Sequence, residues 1–183
     1  MRTRLTTFTT LALACTIGMP LFAQKITDIG AGGGGSPHVR AEWTIDGAAI
    51  AVEYGRPSLK GRPESQMMPA GQPWRTGADQ ATIITSDKPL TFGTLTLAAG
   101  TPYTINTVPG DKDWQLVIGK LDKPGQWGIP YQPALEIGRV PMKVGKAGKA
   151  SEQLTIAIDD TAAGATLRIE WGTVSATAPF KVG

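Results

Sequence analysis

The sequence predicts an all-β fold, an antiparallel β-sandwich or a jelly-roll-like barrel that carries two long loops. Three observations predict it. Apolar residues recur at every second position in many short segments, turn residues bound each segment, and no window beyond the first 22 residues sustains a helical period.

The first hairpin is the clearest element. Trp43 and Ile45, then Ile50, Val52 and Tyr54, alternate around Asp46-Gly47, a dipeptide suited to the positive φ angles of a two-residue hairpin turn. Segments 82–85, 95–97, 103–108, 114–118, 135–144, 154–158, 167–171 and 174–180 repeat the pattern, bounded by turns such as Pro109-Gly110-Asp111 and Asp159-Asp160. Leu154, Ile156 and Ile158 share one face with Thr155 opposite. Leu167, Ile169 and Trp171 share another, with Arg168 and Glu170 opposite, as half-buried antiparallel strands require. Segments 55–77 and 119–133 are too long and polar for tight turns; long loops on a β scaffold are where binding or catalysis usually sits.

The N-terminus reads as an export signal. Arg2 and Arg4 precede an apolar stretch, residues 5–22, interrupted by threonines, and Ala23 offers the small residue that signal peptidase needs. Residues 1–23 are therefore expected to be a signal peptide, and the mature chain to be periplasmic or secreted. Lipid attachment at Cys15 is the less favoured route, because Ala12 stands where a leucine-like residue belongs. Residues 24–37, with Gly32 to Gly35 and Ser36-Pro37, read as a flexible glycine-rich linker, and 38–183 as a single β domain. The net charge of +3 falls close to neutrality without Arg2 and Arg4, so nucleic acid is not an expected partner. No second long apolar run follows, so no transmembrane segment is expected in the mature chain.

The residue inventory narrows the chemistry. The single cysteine leaves with the signal, and the single histidine, His38, lies in or beside the linker with no role assigned to it. Cysteine nucleophiles, Ser-His-Asp sites and His/Cys metal centres are thus unsupported, and Gly32 to Gly35 lacks the Lys-Ser/Thr of a phosphate loop. No metal and no cofactor is expected. Carboxylate chemistry remains, with Glu53 and Asp79, and also Glu64, as conceivable acid and base. Around them Arg56, Lys60, Arg62 and Arg75, with Trp74, could line a pocket for a small anionic or carbohydrate ligand, arginine supplying a planar fork and tryptophan a ring face. The alternative is structural: Arg56 pairs with Glu53 or Asp79, and Arg75 stacks on a tryptophan, pinning the long loop. Trp171 reads as core. Trp127, flanked by Gly125 and Gly128, reads either as an exposed platform or as a loop anchor.

Several of these strings occur together in one known family. The run Tyr54 to Arg62, Trp74-Arg75-Thr76-Gly77-Ala78, Val108-Pro109-Gly110 before Trp114, and Gln126-Trp127-Gly128 resemble the marks of the domain of unknown function 2911 family, over about residue 36 to the C-terminus. The resemblance implies an exported, β-rich bacterial protein and brings no activity, cofactor or catalytic residue with it. Where that pattern has Asn-Glu after Ala78, this chain has Asp79-Gln80, so a carboxylate at position 80 is missing. Two functional classes follow from the residues. One is a non-catalytic envelope protein that binds a small anion, a carbohydrate or a partner protein. The other is a carboxylate-dependent hydrolase or isomerase acting on a sugar-like substrate. The sequence favours the first and leaves the second open.

Overall fold

The computed structural model describes residues 24–183. Residues 1–23, with the expected signal peptide, Cys15 and the expected cleavage point after Ala23, lie outside the described residues.

The all-β expectation holds. The strands are β1 (Lys25–Ala31), β2 (Pro37–Ile45), β3 (Ala48–Gly55), β4 (Thr82–Ser86), β5 (Leu90–Phe92), β6 (Leu95–Leu97), β7 (Tyr103–Val108), β8 (Asp113–Lys120), β9 (Glu136–Thr161) and β10 (Gly164–Val182). They form one antiparallel sheet in the order β1-β2-β3-β4-β7-β8-β9-β10-β5-β6. The helical content among the described residues is one short helix, α1 (Glu64–Met67), and a 3-10 turn at Pro133–Leu135. The sheet curls over a single core without closing into a barrel, and β1 and β6 remain its edges.

The β2–β3 hairpin turns at Asp46 and Gly47, whose φ angles of 49° and 71° are the positive pair that this dipeptide tolerates. Alternation then fills the core. Ile45, Ile50 and Val52 point inward from the hairpin to meet Leu116 and Ile118 of β8, Leu154 and Ile156 of β9, and Leu167, Ile169 and Trp171 of β10. Where β3 ends, the chain reaches across to β9. The amide of Ile156 donates to the Tyr54 hydroxyl at 3.1 Å, and Leu154 donates to Pro57 O at 3.0 Å. Burial pushes the Tyr54 phenol above its ordinary pKa, so it stays protonated across the neutral range.

Two features differ from the sequence expectation. First, segments 135–144 (from residue 136 on) and 154–158 belong to one strand, β9, and 167–171 with 174–180 to one strand, β10, with the turn at Ala162-Ala163 instead of Asp159-Asp160. Between the apolar segments, exposed Lys146 and half-buried Ser151 still pair with Val174 and Gly172, on either side of residues 147–150, which have no partner in the register. Register shifts around Gly172 break the apolar phase.

Second, residues 24–37 are not simply linker. Lys25–Ala31 pairs with β2 as an edge strand, from Lys25 opposite Glu42 to Ala31 opposite Pro37. All seven of its residues are exposed, so no buried face marks it in the sequence. Its hold on the domain is the backbone ladder, helped by the Lys25–Glu42 ion pair.

Candidate functional site

Loop 55–77 begins as a continuation of β3. Leu59 donates to Glu152 O, so residues 57–59 run beside β9. A tight turn follows, with Lys60 and Gly61 both at positive φ (51° and 74°) and Arg62 N closing back onto Leu59 O at 3.0 Å. Further on, Trp74 exchanges two backbone hydrogen bonds with Thr107 of β7. The next residues bend sharply. Thr76 and Asp79 hold φ angles of 54° and 60°, and a β-branched residue in that region is strained unless its surroundings fix it. Thr76 is fixed on three sides: its hydroxyl bonds Trp74 O and the Thr107 hydroxyl, and its carbonyl accepts from the Thr82 hydroxyl.

These bends enclose a cleft of about 490 Å³. Arg56, Lys60, Arg62, Arg75, Trp74 and Asp79, all singled out in the sequence, line it together. Trp74 stacks on Trp171 at 5.7 Å and meets Trp114 edge-on at 6.5 Å, so its ring is part of the core and floors the cleft. Trp171 is buried as expected.

The cations are held in an unusual way. Arg56 donates from Nε to Leu154 O (3.1 Å) and from Nη2 to the Thr155 hydroxyl (3.2 Å). Arg62 donates to Leu59 O and Ser58 O at 2.9 and 2.6 Å, and Arg75 donates to Gly77 O at 3.2 Å. Gly128 makes room for Arg75, since a Cβ there would sit 2.7 Å from its Cδ. Neutral oxygens thus orient three guanidiniums and leave their charge intact. Among the described residues, none of the four cations forms a salt bridge. Pairing of Arg56 with Glu53 or Asp79 is accordingly absent, and Arg75 turns to a carbonyl.

The carboxylates disperse. Glu53 lies outside this cleft on β3, where Arg40 Nη1 approaches it to 2.5 Å, and it lines a separate hollow. Glu64 lies outside too; its carboxylate accepts from the amide and hydroxyl of Thr173 and ties α1 to the bulge of β10. A side chain at Gly172 would collide with it, a Cβ there falling 2.0 Å from Glu64 Oε1. Only Asp79 enters the cleft, buried to 5% exposure. Trp127 is 48% exposed, is tied to Gln80 by a β-bridge, and does not line the cleft; exposed Ile129 stands there instead.

His38, given no role by the sequence, is buried at the start of β2, with Nε2 3.4 Å from Asp79 Oδ2. The other carboxylate oxygen accepts from Gly34 N at 3.1 Å. The glycine run therefore wraps Asp79 as a cleft wall: a Cβ on Gly32 would lie 1.8 Å from Asp79 Oδ2. The signal that could have found this was the adjacency of the glycines to the one histidine, read as packing instead of as flexibility. Among the described residues no group of three or more His, Cys, Asp or Glu side chains converges as metal ligands do, and no helix is long and apolar enough to cross a membrane.

Residues 36–180 match the family model described as protein of unknown function (DUF2911). The chain belongs to that family. No curated protein and no solved structure matches it. The DUF2911 match takes in β2 to nearly the end of β10 and every cation of the cleft, whereas β1 and Gly32 to Gly35 precede it.

Proposed function

We propose that this DUF2911 protein is an exported envelope protein that binds a small anionic ligand in the cleft between loop 55–77 and the glycine turn. One observation carries the reading. Arg56, Lys60, Arg62 and Arg75 surround one cleft and none of them forms a salt bridge among the described residues, while neutral oxygens aim the three arginines. Like charges gathered at one place repel each other in the empty protein, and an anion that accepts from the free N–H groups removes that cost. Export rests on Arg2, Arg4 and the apolar stretch before Ala23.

Carbohydrate as the primary ligand is the weaker option, because the Trp74 and Trp171 faces lie against each other and Trp127 stands outside the cleft. A two-carboxylate hydrolase is weaker still, since Glu53 and Asp79 do not share the cleft.

The test is thermal stability in sulfate, succinate, malate and aspartate against chloride at matched ionic strength. A ligand that binds only the native state adds about 2.7 kcal/mol at a hundred times its Kd. At least one of these anions should raise Tm, and Arg56→Ala and Arg75→Ala should each abolish the rise. No rise with any anion, or a rise that survives both substitutions, defeats the proposal.

A further inference from the structure

The binding reading leaves one group in the cleft unexplained, a carboxylate among the cations. Asp79 is the one acidic side chain among the described residues that line it. Its backbone is held at φ 60°, its Oδ1 by the Gly34 amide and its Oδ2 by His38 Nε2. An ionised carboxylate has about four acceptor positions, so two such contacts leave acceptor capacity. A bare anion brought up to Arg56 or Arg75 would meet that negative charge, and like charges in a partly desolvated site repel. A ligand that carries an O–H or N–H beside its anionic group turns the same encounter into a charge-assisted hydrogen bond.

We propose that Asp79 is the specificity-determining residue of the cleft, selecting ligands in which a carboxylate or similar anion sits next to a hydroxyl or ammonium donor, as in hydroxy acids and amino acids. This rests on the anion-binding reading above. The arginines supply attraction, and Asp79 supplies rejection of anions without a donor. His38 is a positioning residue: it is fixed in β2 opposite Gly55, where a Cβ would lie 2.9 Å from its Nε2, and it holds the carboxylate in place. Asparagine keeps the shape and an oxygen that accepts from Gly34 N, and its amide can donate to His38 Nε2 once that nitrogen is the unprotonated one, so a purely structural role survives the change. Charge is what asparagine removes.

The experiment is calorimetric titration of the wild-type protein with L-malate, D-malate and L-aspartate, which carry a donor, and with succinate and sulfate, which do not, repeated on Asp79→Asn. A site built around a ligand donor can reject the analogue lacking it by a factor of about 10⁴ when fully buried, and an open cleft should reach at least about tenfold. Malate or aspartate should bind at least about tenfold more tightly than succinate and sulfate, and Asp79→Asn should bring the ratio close to one by tightening the donor-free anions. Malate against aspartate tells hydroxyl from ammonium. Equal affinity for both sets in the wild type overturns the role of Asp79 while leaving the cleft an anion site, as does a preference that persists in Asp79→Asn. Binding of no anion at all removes the underlying reading and this inference with it. If Asp79→Asn does not fold, the wild-type ratio alone decides.

Discussion

Replacing Gly32 by alanine separates a packed glycine turn from a flexible linker. The added Cβ would lie 1.8 Å from Asp79 Oδ2 and 2.3 Å from its Cγ, well inside contact distance. Gly33, its neighbour, would place a Cβ with nothing within 4 Å, and neither residue sits at positive φ. The pair are the same residue type side by side, Gly32 half-buried and Gly33 exposed, and differ in what lies behind them. Overpacking costs about 1–3 kcal/mol. If the turn moves away instead, it breaks the hydrogen bond from Gly34 N to Asp79 Oδ1, worth about 1.5–3 kcal/mol for a charged acceptor. The chain will take the cheaper route, and because β1 and β2 hold both ends of the turn, neither route is free. Gly32→Ala should lose about 2 kcal/mol and Gly33→Ala under about 0.5 kcal/mol. Urea unfolding followed by tryptophan fluorescence reads both, and the m-value should not change, since the same surface is exposed on unfolding. Equal stability of the two variants would refute the packed turn and restore the linker.

Two further outcomes follow from the tryptophans and from the acid limb. Trp74→Ala should cost about 3–5 kcal/mol in the same assay because it empties a stack on Trp171, while Trp127→Ala, 48% exposed, should cost under about 1 kcal/mol. Glu136 is held below the ordinary carboxylate pKa, chiefly by its hydrogen bond from Arg139, with Tyr131 adding a second donor. A depressed folded value gives stability that is present above the unfolded pKa and lost as pH falls through the folded one. Glu136→Gln should therefore flatten stability below about pH 4.5 and lower it above by under about 1 kcal/mol, since Arg139 is largely exposed, which unfolding from pH 7 to 2 will measure.

What could be read in the sequence was whatever leaves a period or a turn. The hairpin at Asp46-Gly47 and the faces of 154–158 and 167–171 were legible because burial on one side forces apolar residues into every second position. β1 was not, because an edge strand whose seven side chains are all exposed has no buried face to enrich. The same holds for the middle of β9, where Lys146 and Ser151 pair with β10 beyond the core. Loop 55–77 and the Trp74 to Asp79 run stood out by residue type, and the fold brings Arg56, Lys60, Arg62, Trp74, Arg75 and Asp79 to one cleft. Glu53, Glu64 and Trp127 fall elsewhere. For Glu53 the reason is parity: it is paired with Arg40, while Val52 and Tyr54 on either side of it face the core.

Which cation would pair with which carboxylate was beyond the sequence, and that choice decides the character of the cleft. Spacing places Glu53 three residues from Arg56, but the intervening strand puts Glu53 on the outer face with Arg40 and sends Arg56 across to β9. Asp79 is four residues from Arg75, yet positive φ at Thr76 and at Asp79 turns that carboxylate toward His38 and the glycine turn. Each nearby acid is thus engaged by a different partner before a cleft cation reaches it. Had either acid remained with its near neighbour, the cleft would hold neutralised ion pairs and offer little to an anion. Thr76 carries the backbone strain of this bend between Arg75 and Asp79, and the hydrogen bonds of the Thr76 and Thr82 hydroxyls are what sustain it.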